Sequence, residues 1–191
     1  MAENTKSNLN LPNVLTVIRI ILVPLYLFFL LTPHDSPNFY TYRFVAFAVF
    51  TVAMLTDKLD GDIARKRQII TNFGKLMDPI ADKLLLGSAF IAFSYLGEIP
   101  VVATAIILFR EVFITLYRFL VIKRKKQVIP ASIWGKVKTV TQSITLGAYS
   151  LPYIFLPQPI HIALFCLLIV AVVITVASGA EIVLGARRRS E

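Results

Sequence analysis

The chain has 191 residues, of which 57% are hydrophobic and 16% are charged, and its formal net charge is +9. A soluble domain has about half apolar residues and about a quarter charged ones, so this composition excludes a water-soluble surface for most of the chain and favours a membrane protein. The basic residues stand in short runs beside apolar stretches, as in cytoplasmic membrane loops, and we therefore expect no nucleic-acid partner.

The hydrophobic pattern predicts an all-α integral membrane fold with six transmembrane helices after a short N-terminal interfacial helix. Leu9, Leu11, Val14 and Leu15, set among polar residues, indicate the interfacial segment. The first apolar stretch ends at Leu31 and has no small-x-small cleavage site after it, unlike a signal peptide. The later helices are predicted over residues 39–56 with a charged extension to 67, and over 74–96, 101–122, 136–155 and 160–184. We expect one domain over residues 1–191.

Lysine and arginine cluster in alternate connections of this pattern. They lie between the second and third helices, between the fourth and fifth, and after the sixth, while the other connections carry almost none. The positive-inside rule then places these connections and both termini in the cytoplasm. We expect a multi-pass protein of the cell (plasma) membrane with its polar site facing the cytoplasm.

One acidic stretch interrupts the apolar pattern where the second predicted helix meets the third. Asp57 and Asp60 are three residues apart, and Asp78 and Asp82 are four apart, so each pair shares a helix face. The short connection makes the two helices antiparallel neighbours, which brings the four carboxylates together. A divalent cation would relieve their repulsion, and an all-oxygen set favours Mg²⁺, Mn²⁺ or Ca²⁺ over zinc. The alternative is a solvated, charged helix end, although ionisable groups at membrane depth usually mark a functional site.

Two glycines in this stretch, Gly61 and Gly74, let a flat or phosphorylated ligand approach the backbone closely. The whole stretch resembles the signature of the CDP-alcohol phosphotransferase family, with all eight positions present: Asp57-x-x-Asp60-Gly61-x-x-Ala64-Arg65 and then Gly74-x-x-x-Asp78-x-x-x-Asp82. Four further segments resemble the bacterial branch of that family that makes phosphatidylglycerophosphate: Pro12-Asn13-x-Leu15-Thr16-x-x-Arg19, Arg110-Glu111, Arg118 and Gly135-Lys136-x-Lys138-Thr139.

The resemblance implies a six-helix membrane enzyme, usually a homodimer, that moves a phosphatidyl group from CDP-diacylglycerol to glycerol 3-phosphate and releases CMP. It also implies roles for the signature. Asp57, Asp60 and Asp78 would be the principal ligands of Mg²⁺ (or Mn²⁺), and Asp82 would complete the cluster and act as general base. The residues implied to line the CDP pocket are Gly61, Ala64, Arg65 and Gly74. Arg65 has a second interpretation, as a cytoplasmic anchor.

The acceptor is the more open question. Four basic residues near the cytoplasmic ends of the fourth and fifth helices would bind the phosphate of an anionic acceptor: Arg110, Arg118, Lys136 and Lys138. The alternative for the two arginines is an ion pair with Glu111 or snorkelling. Because Arg110 and Glu111 are adjacent, we expect them to point in different directions and not to neutralise each other.

Three other functions remain as alternatives. The same chemistry with inositol phosphate, serine or phosphatidylglycerol as acceptor would keep the family and change the product. A small membrane transporter would also place acids within spans, but transporters bind near the midplane of repeated halves, and no repeat is evident in this chain. A non-catalytic membrane scaffold is the last alternative, and it does not explain why all eight signature positions are present.

Overall fold

The computed structural model describes residues 11–67, 72–125, 133–153 and 157–188, and the side chains of residues 14–57, 77, 80–121, 133–153 and 157–185. Six helices make up these ranges: α1 (Leu11–Leu30), α2 (Phe39–Arg67), α3 (Asn72–Tyr95), α4 (Val101–Lys125), α5 (Ile133–Ser150) and α6 (Gln158–Arg188). The all-α prediction is confirmed for the described part of the chain.

Most helix boundaries lie within three residues of the predicted ones, but the ends of α5 and α6 differ more, and α6 extends past residue 184 to Arg188. The fifth helix was predicted to end at residue 155, but α5 ends at Ser150. Pro152 explains this, because the residue before a proline is disfavoured in the helical conformation. The predicted interfacial segment also differs, since Leu11, Val14 and Leu15 belong to α1 itself. Residues 1–10 lie outside the described residues.

The chain divides into two compact units: Met1–Ala92 with Ser150–Pro152, and Phe93–Tyr149 with Tyr153–Glu191. In the first unit α1 and α2 form an antiparallel pair. Their ring contacts show the direction, because Tyr26 meets Phe50 and Phe29 meets Tyr42, each with ring centroids 5.4 Å apart. The prediction of one domain over residues 1–191 stays a prediction.

The buried residues of α1 and α2 recur at intervals of three and four, the spacing of a helix–helix seam. Both seams contain a fully buried arginine, and they consist of Thr16, Arg19, Val23, Tyr26 and Leu30 on α1 and of Phe39, Arg43, Ala46, Phe50 and Ala53 on α2. Burial of a charge is costly unless it is paired, so each of these arginines needs a compensating partner within or beside the seam.

In the second unit, α4 packs against α6. The buried residues of α5 and α6 again follow a seam spacing. Several of them are polar: Lys138, Gln142 and Thr145 on α5, and Thr175 and Ser178 on α6. Gly97, at a φ of +73°, ends α3 in the left-handed conformation that glycine adopts without strain. The amides of Glu98 and Ile99 both donate to the Phe93 carbonyl there, which completes the turn.

Much of the apolar side-chain area faces outward. Phe28 on α1 is 67% exposed and Phe109 on α4 is 72% exposed, which suits a lipid surrounding better than water. Two described helical segments, Phe39–Asp57 and Gln158–Gly185, are long and apolar enough to cross a membrane, and Val14–Leu30 is a shorter apolar helix. These segments support membrane character, while the count of six spans stays a prediction.

Candidate active site

Asp57 continues the buried seam of α2, four residues after Ala53. Its Oδ1 lies 2.7 Å from Nη1 of Arg19 on α1, and the two side chains form an ion pair. The arginine side chain is wholly buried, whereas 35% of the aspartate side chain is exposed. The carboxylate is therefore held by a charge from inside the helix pair and stays accessible from outside.

The remaining carboxylates of the signature are placed by their helices. Asp60 lies on α2, which runs without a break through the charged segment, and Asp78 and Asp82 lie on α3. Asp82 is half-buried and follows Ala81, which is fully buried. The side chains of Asp60 and Asp78 lie outside the described residues. Each pair of acids stands on helical backbone at the three- or four-residue spacing from which a shared face was predicted, and that shared face stays a prediction.

Among the side chains that the structure describes, no group of three or more histidine, cysteine or acidic residues gathers as a metal site. Two of the four predicted ligands fall outside that search, so the four-carboxylate site stays a prediction. The chemistry of the donor set fits a hard divalent cation, because its members are all carboxylates. The predicted CDP-lining residues also have side chains outside the described range: Gly61, Ala64, Arg65 and Gly74.

A second polar cluster connects α4, α5 and α6. Oε1 of Glu111 accepts hydrogen bonds from Nη1 of Arg110 at 3.0 Å and from Nζ of Lys138 at 2.5 Å. The expectation that Arg110 and Glu111 point apart is wrong, because the long arginine side chain bends back to its neighbour. One carboxylate is thus shared by two cations, and the cluster of three keeps a net positive charge.

Arg110 is also held from α6. Its Nη2 donates to Oγ of Ser178 at 2.8 Å, and Ser178 in turn donates to the Thr175 carbonyl. A Cβ at Gly179 would lie 3.3 Å from both Cγ and Nε of Arg110. Glycine at that position therefore lets the arginine lie close along the backbone of α6.

The four predicted acceptor-binding residues have different surroundings. Arg110 and Lys138 meet at Glu111, with side chains that are 11% and 9% exposed. Arg118, two turns further along α4, is half-buried, and its Nε is buried without a hydrogen-bond partner among the described residues. Lys136 on α5 is exposed.

The sequence alone assigned no role to Arg19, and it favoured different directions for the side chains of Arg110 and Glu111. The ion pair that was the alternative for Arg110 is the arrangement observed. The signal for Arg19 was present in its position, because it stands on the same three-and-four spacing as Thr16, Val23 and Tyr26. A charge on a buried stripe needs a partner, and Asp57 extends the matching stripe of α2. The contact of Ser178 with Arg110 had no comparable signal.

Comparison with known proteins adds an independent finding. Residues 9–177 match the family described as CDP-alcohol phosphatidyltransferase. The chain is 41% identical, over 94% of its length and 82% of the relative's, to a "Probable phosphatidylglycerophosphate synthase" of Mycobacterium tuberculosis. It is 36% identical, over 90% and 92%, to a "CDP-diacylglycerol--glycerol-3-phosphate 3-phosphatidyltransferase" of Bacillus subtilis. A protein of Haemophilus influenzae with that same name is 32% identical over 88% and 89%.

Proposed function

The chain belongs to the CDP-alcohol phosphatidyltransferase family, and from that premise we propose that it transfers a phosphatidyl group from CDP-diacylglycerol to glycerol 3-phosphate. The products are phosphatidylglycerophosphate and CMP, which makes this a step of phospholipid biosynthesis. The observation that carries the proposal is the complete signature on α2 and α3. The family predicted from that signature is confirmed. The names of the Bacillus subtilis and Haemophilus influenzae relatives support glycerol 3-phosphate as the acceptor.

In the proposed reaction a hydroxyl oxygen of the acceptor attacks the lipid-attached phosphorus of CDP-diacylglycerol. A new P–O bond forms, the bond to the CMP phosphate breaks, and CMP carries away the electron pair. Asp82 accepts the proton of the attacking hydroxyl as general base, one helical turn from Asp78. A bound divalent cation supplies neutralisation of the diphosphate oxygens and of the charge that develops on the leaving group.

We assign Mg²⁺ (or Mn²⁺) to the aspartates of the signature. Asp57, Asp60 and Asp78 are the proposed principal ligands, and Asp82 completes the set. The accessible face of Asp57 supports this, because a carboxylate of a fully closed ion pair would offer a cation no approach. The proposed lining of the CDP pocket consists of Gly61, Ala64, Arg65 and Gly74.

The acceptor phosphate is proposed to bind the basic groups of α4 and α5. Glu111 offsets only one of the two charges of Arg110 and Lys138, and Arg118 and Lys136 add two more near that cluster in sequence. A surplus of positive charge suits a phosphate monoester better than serine or another neutral alcohol. Replacement of Arg118 by alanine should then raise the KM for glycerol 3-phosphate by about 10-fold or more, the cost of a lost charged hydrogen bond.

We propose that the six helices all span the plasma membrane, with both termini and the site at the cytoplasmic side. The distribution of lysine and arginine supports this orientation. A homodimer is proposed from the family alone.

An acceptor screen tests the function. Purified protein in detergent receives CDP-diacylglycerol, Mg²⁺ and one acceptor at a time, while CMP release is followed and the lipid product is identified by mass. Phosphatidylglycerophosphate formed only with glycerol 3-phosphate, and lost in Asp82→Asn, is the expected result. Turnover with inositol phosphate, serine or phosphatidylglycerol would replace the acceptor and keep the chemistry. Absence of CMP with every acceptor, in folded protein, would favour a transporter or a scaffold.

A further inference from the structure

The seam between α1 and α2 contains two fully buried arginines, and one of them, Arg19, contacts the signature. Arg19 lies 2.7 Å from Asp57, the first acid of the signature. Arg43 has its guanidinium 5.3 Å from the ring centroid of Phe39, near the opposite end of α2. Fourteen residues of helix separate Arg43 from Asp57, which is about 21 Å along the axis. The two arginines therefore share burial and helix pair but differ in their distance from the acids.

The side chain of Arg19 is fully buried on α1. It lies in the seam one turn after Thr16 and one turn before Val23, both of them buried. A planar guanidinium surrounded by packed neighbours keeps a fixed position, whereas a lysine ammonium on a flexible stem does not. Oδ1 of Asp57 therefore lies against a charged group that is fully buried on α1, and this contact restricts how the carboxylate can turn.

Metal-binding carboxylates are commonly oriented by a hydrogen-bonding partner behind them, and loss of such a partner lowers metal affinity by about 10–100-fold. We infer that Arg19 is a positioning residue for the divalent-cation site, holding Asp57 in its ligating orientation through the Nη1–Oδ1 contact. This inference rests on the proposed function, because it takes Asp57 as a ligand. Arg19 itself does not touch substrate or metal in this proposal.

Binding of Mn²⁺ tests the inference without any need for turnover. Full-length protein in detergent is titrated with Mn²⁺, and the free ion is followed by its electron paramagnetic resonance signal. The variants are Arg19→Gln, Arg19→Lys, Asp57→Asn and the matched control Arg43→Gln. We expect Arg19→Gln to weaken Mn²⁺ binding by about 10–100-fold, Arg19→Lys to recover part of the loss, and Arg43→Gln to bind as the unmodified protein does. Thermal unfolding of each variant records how much stability it has lost.

The outcomes separate positioning from simple stability. If Arg19→Gln binds Mn²⁺ with unchanged affinity, the arginine is only structural and the inference is wrong. Equal weakening in Arg19→Gln and Arg43→Gln overturns it as well, because any buried arginine of the seam would then have the same effect. Should Arg19→Gln fail to fold, Arg19→Lys decides, since a displaced ammonium must weaken Mn²⁺ binding relative to Arg43→Gln. If Asp57→Asn binds Mn²⁺ with unchanged affinity, Asp57 is not a ligand and the inference about Arg19 is wrong. CMP release by the unmodified protein would still support the proposed function in that case.

Discussion

The Asp57 end of the α1–α2 seam and the Glu111 cluster of α4–α6 are both ion pairs in largely buried surroundings, but they leave opposite charges available. At Asp57 one arginine meets one carboxylate, the arginine is wholly buried, and 35% of the carboxylate side chain is exposed. At Glu111 one carboxylate meets two cations, and its side chain is 20% exposed. The first region presents an anion, and the second keeps a surplus of positive charge.

This difference indicates what each region can bind. An accessible carboxylate held in place suits a cation, whereas cations gathered around one acid suit an additional anion such as a phosphate. A reaction between a metal-bound diphosphate and a phosphate-bearing alcohol needs both kinds of site. The comparison therefore supports the proposed donor and acceptor regions separately, and each can be tested separately.

The largest expected effect comes from Asp57→Asn, which removes the accessible anion. CMP release should fall by about 10²–10³-fold, the usual cost of losing one charge-stabilising group at a reacting centre. The change also leaves Arg19 buried without its ion-pair partner. Breaking a fully buried pair costs about 3–5 kcal/mol, and the partial exposure of Asp57 reduces the expected loss here to about 1–2 kcal/mol. Activity assays and thermal unfolding in detergent measure the two effects.

The double variant Asp57→Asn with Arg19→Gln tests whether the lost stability comes from the unpaired charge of Arg19. It removes the buried charge together with its partner, so it should be more stable than Asp57→Asn alone and equally inactive. If the double variant is no more stable than the single one, Asp57 is not what offsets the charge of Arg19.

Glu111→Gln should have a smaller effect of a different kind, because it removes the acid that two cations share. Arg110 and Lys138 then repel each other, and we expect a loss of about 1–3 kcal/mol in the free energy of unfolding. Added inorganic phosphate should restore more stability to this variant than it gives to the unmodified protein, because a second anion can replace the lost carboxylate. Thermal unfolding with and without phosphate measures this.

Glu181→Gln on α6 is the matched control, since Glu181 is exposed. The free energy of unfolding of this variant should change by about 1 kcal/mol or less, because interactions of an exposed charge are screened by water. An equal response of Glu111→Gln and the unmodified protein to phosphate would show that the α4–α6 cluster does not bind anions, and the acceptor site would have to be sought elsewhere.

The sequence predicted the helices well because apolar runs, prolines and charge clusters are local signals. It also predicted the family, since eight signature positions stand at fixed spacings in one stretch. It predicted the geometry around Glu111 incorrectly, because the direction of a long side chain depends on neighbours far along the chain. Ser178 is 68 residues from Arg110, and no pattern within α4 points to it. Arg19 was partly predictable. Its place on a buried stripe indicates that it has a partner but does not identify Asp57 as that partner.

Gly179→Ala should give the smallest effect, and it tests how closely Arg110 must lie along α6. The added methyl group would be 3.3 Å from Cγ and Nε of Arg110, so the arginine must shift by a few tenths of an ångström. Because Ser178 and Glu111 hold the guanidinium through hydrogen bonds of 2.8 and 3.0 Å, we expect that shift to raise the KM for glycerol 3-phosphate by about two- to threefold, equivalent to less than about 1 kcal/mol.

Gly185→Ala provides the comparison on the same helix, since a Cβ there meets nothing within 4 Å. Alanine is favoured over glycine inside a helix by about 0.5–1 kcal/mol, so this variant should be slightly more stable and have an unchanged KM. If Gly179→Ala behaves in the same way, the position of Arg110 along α6 does not matter for the acceptor. Both variants add the same methyl group to the same helix. If only Gly179→Ala raises the KM, the position of Arg110 along α6 is therefore what matters for binding the acceptor.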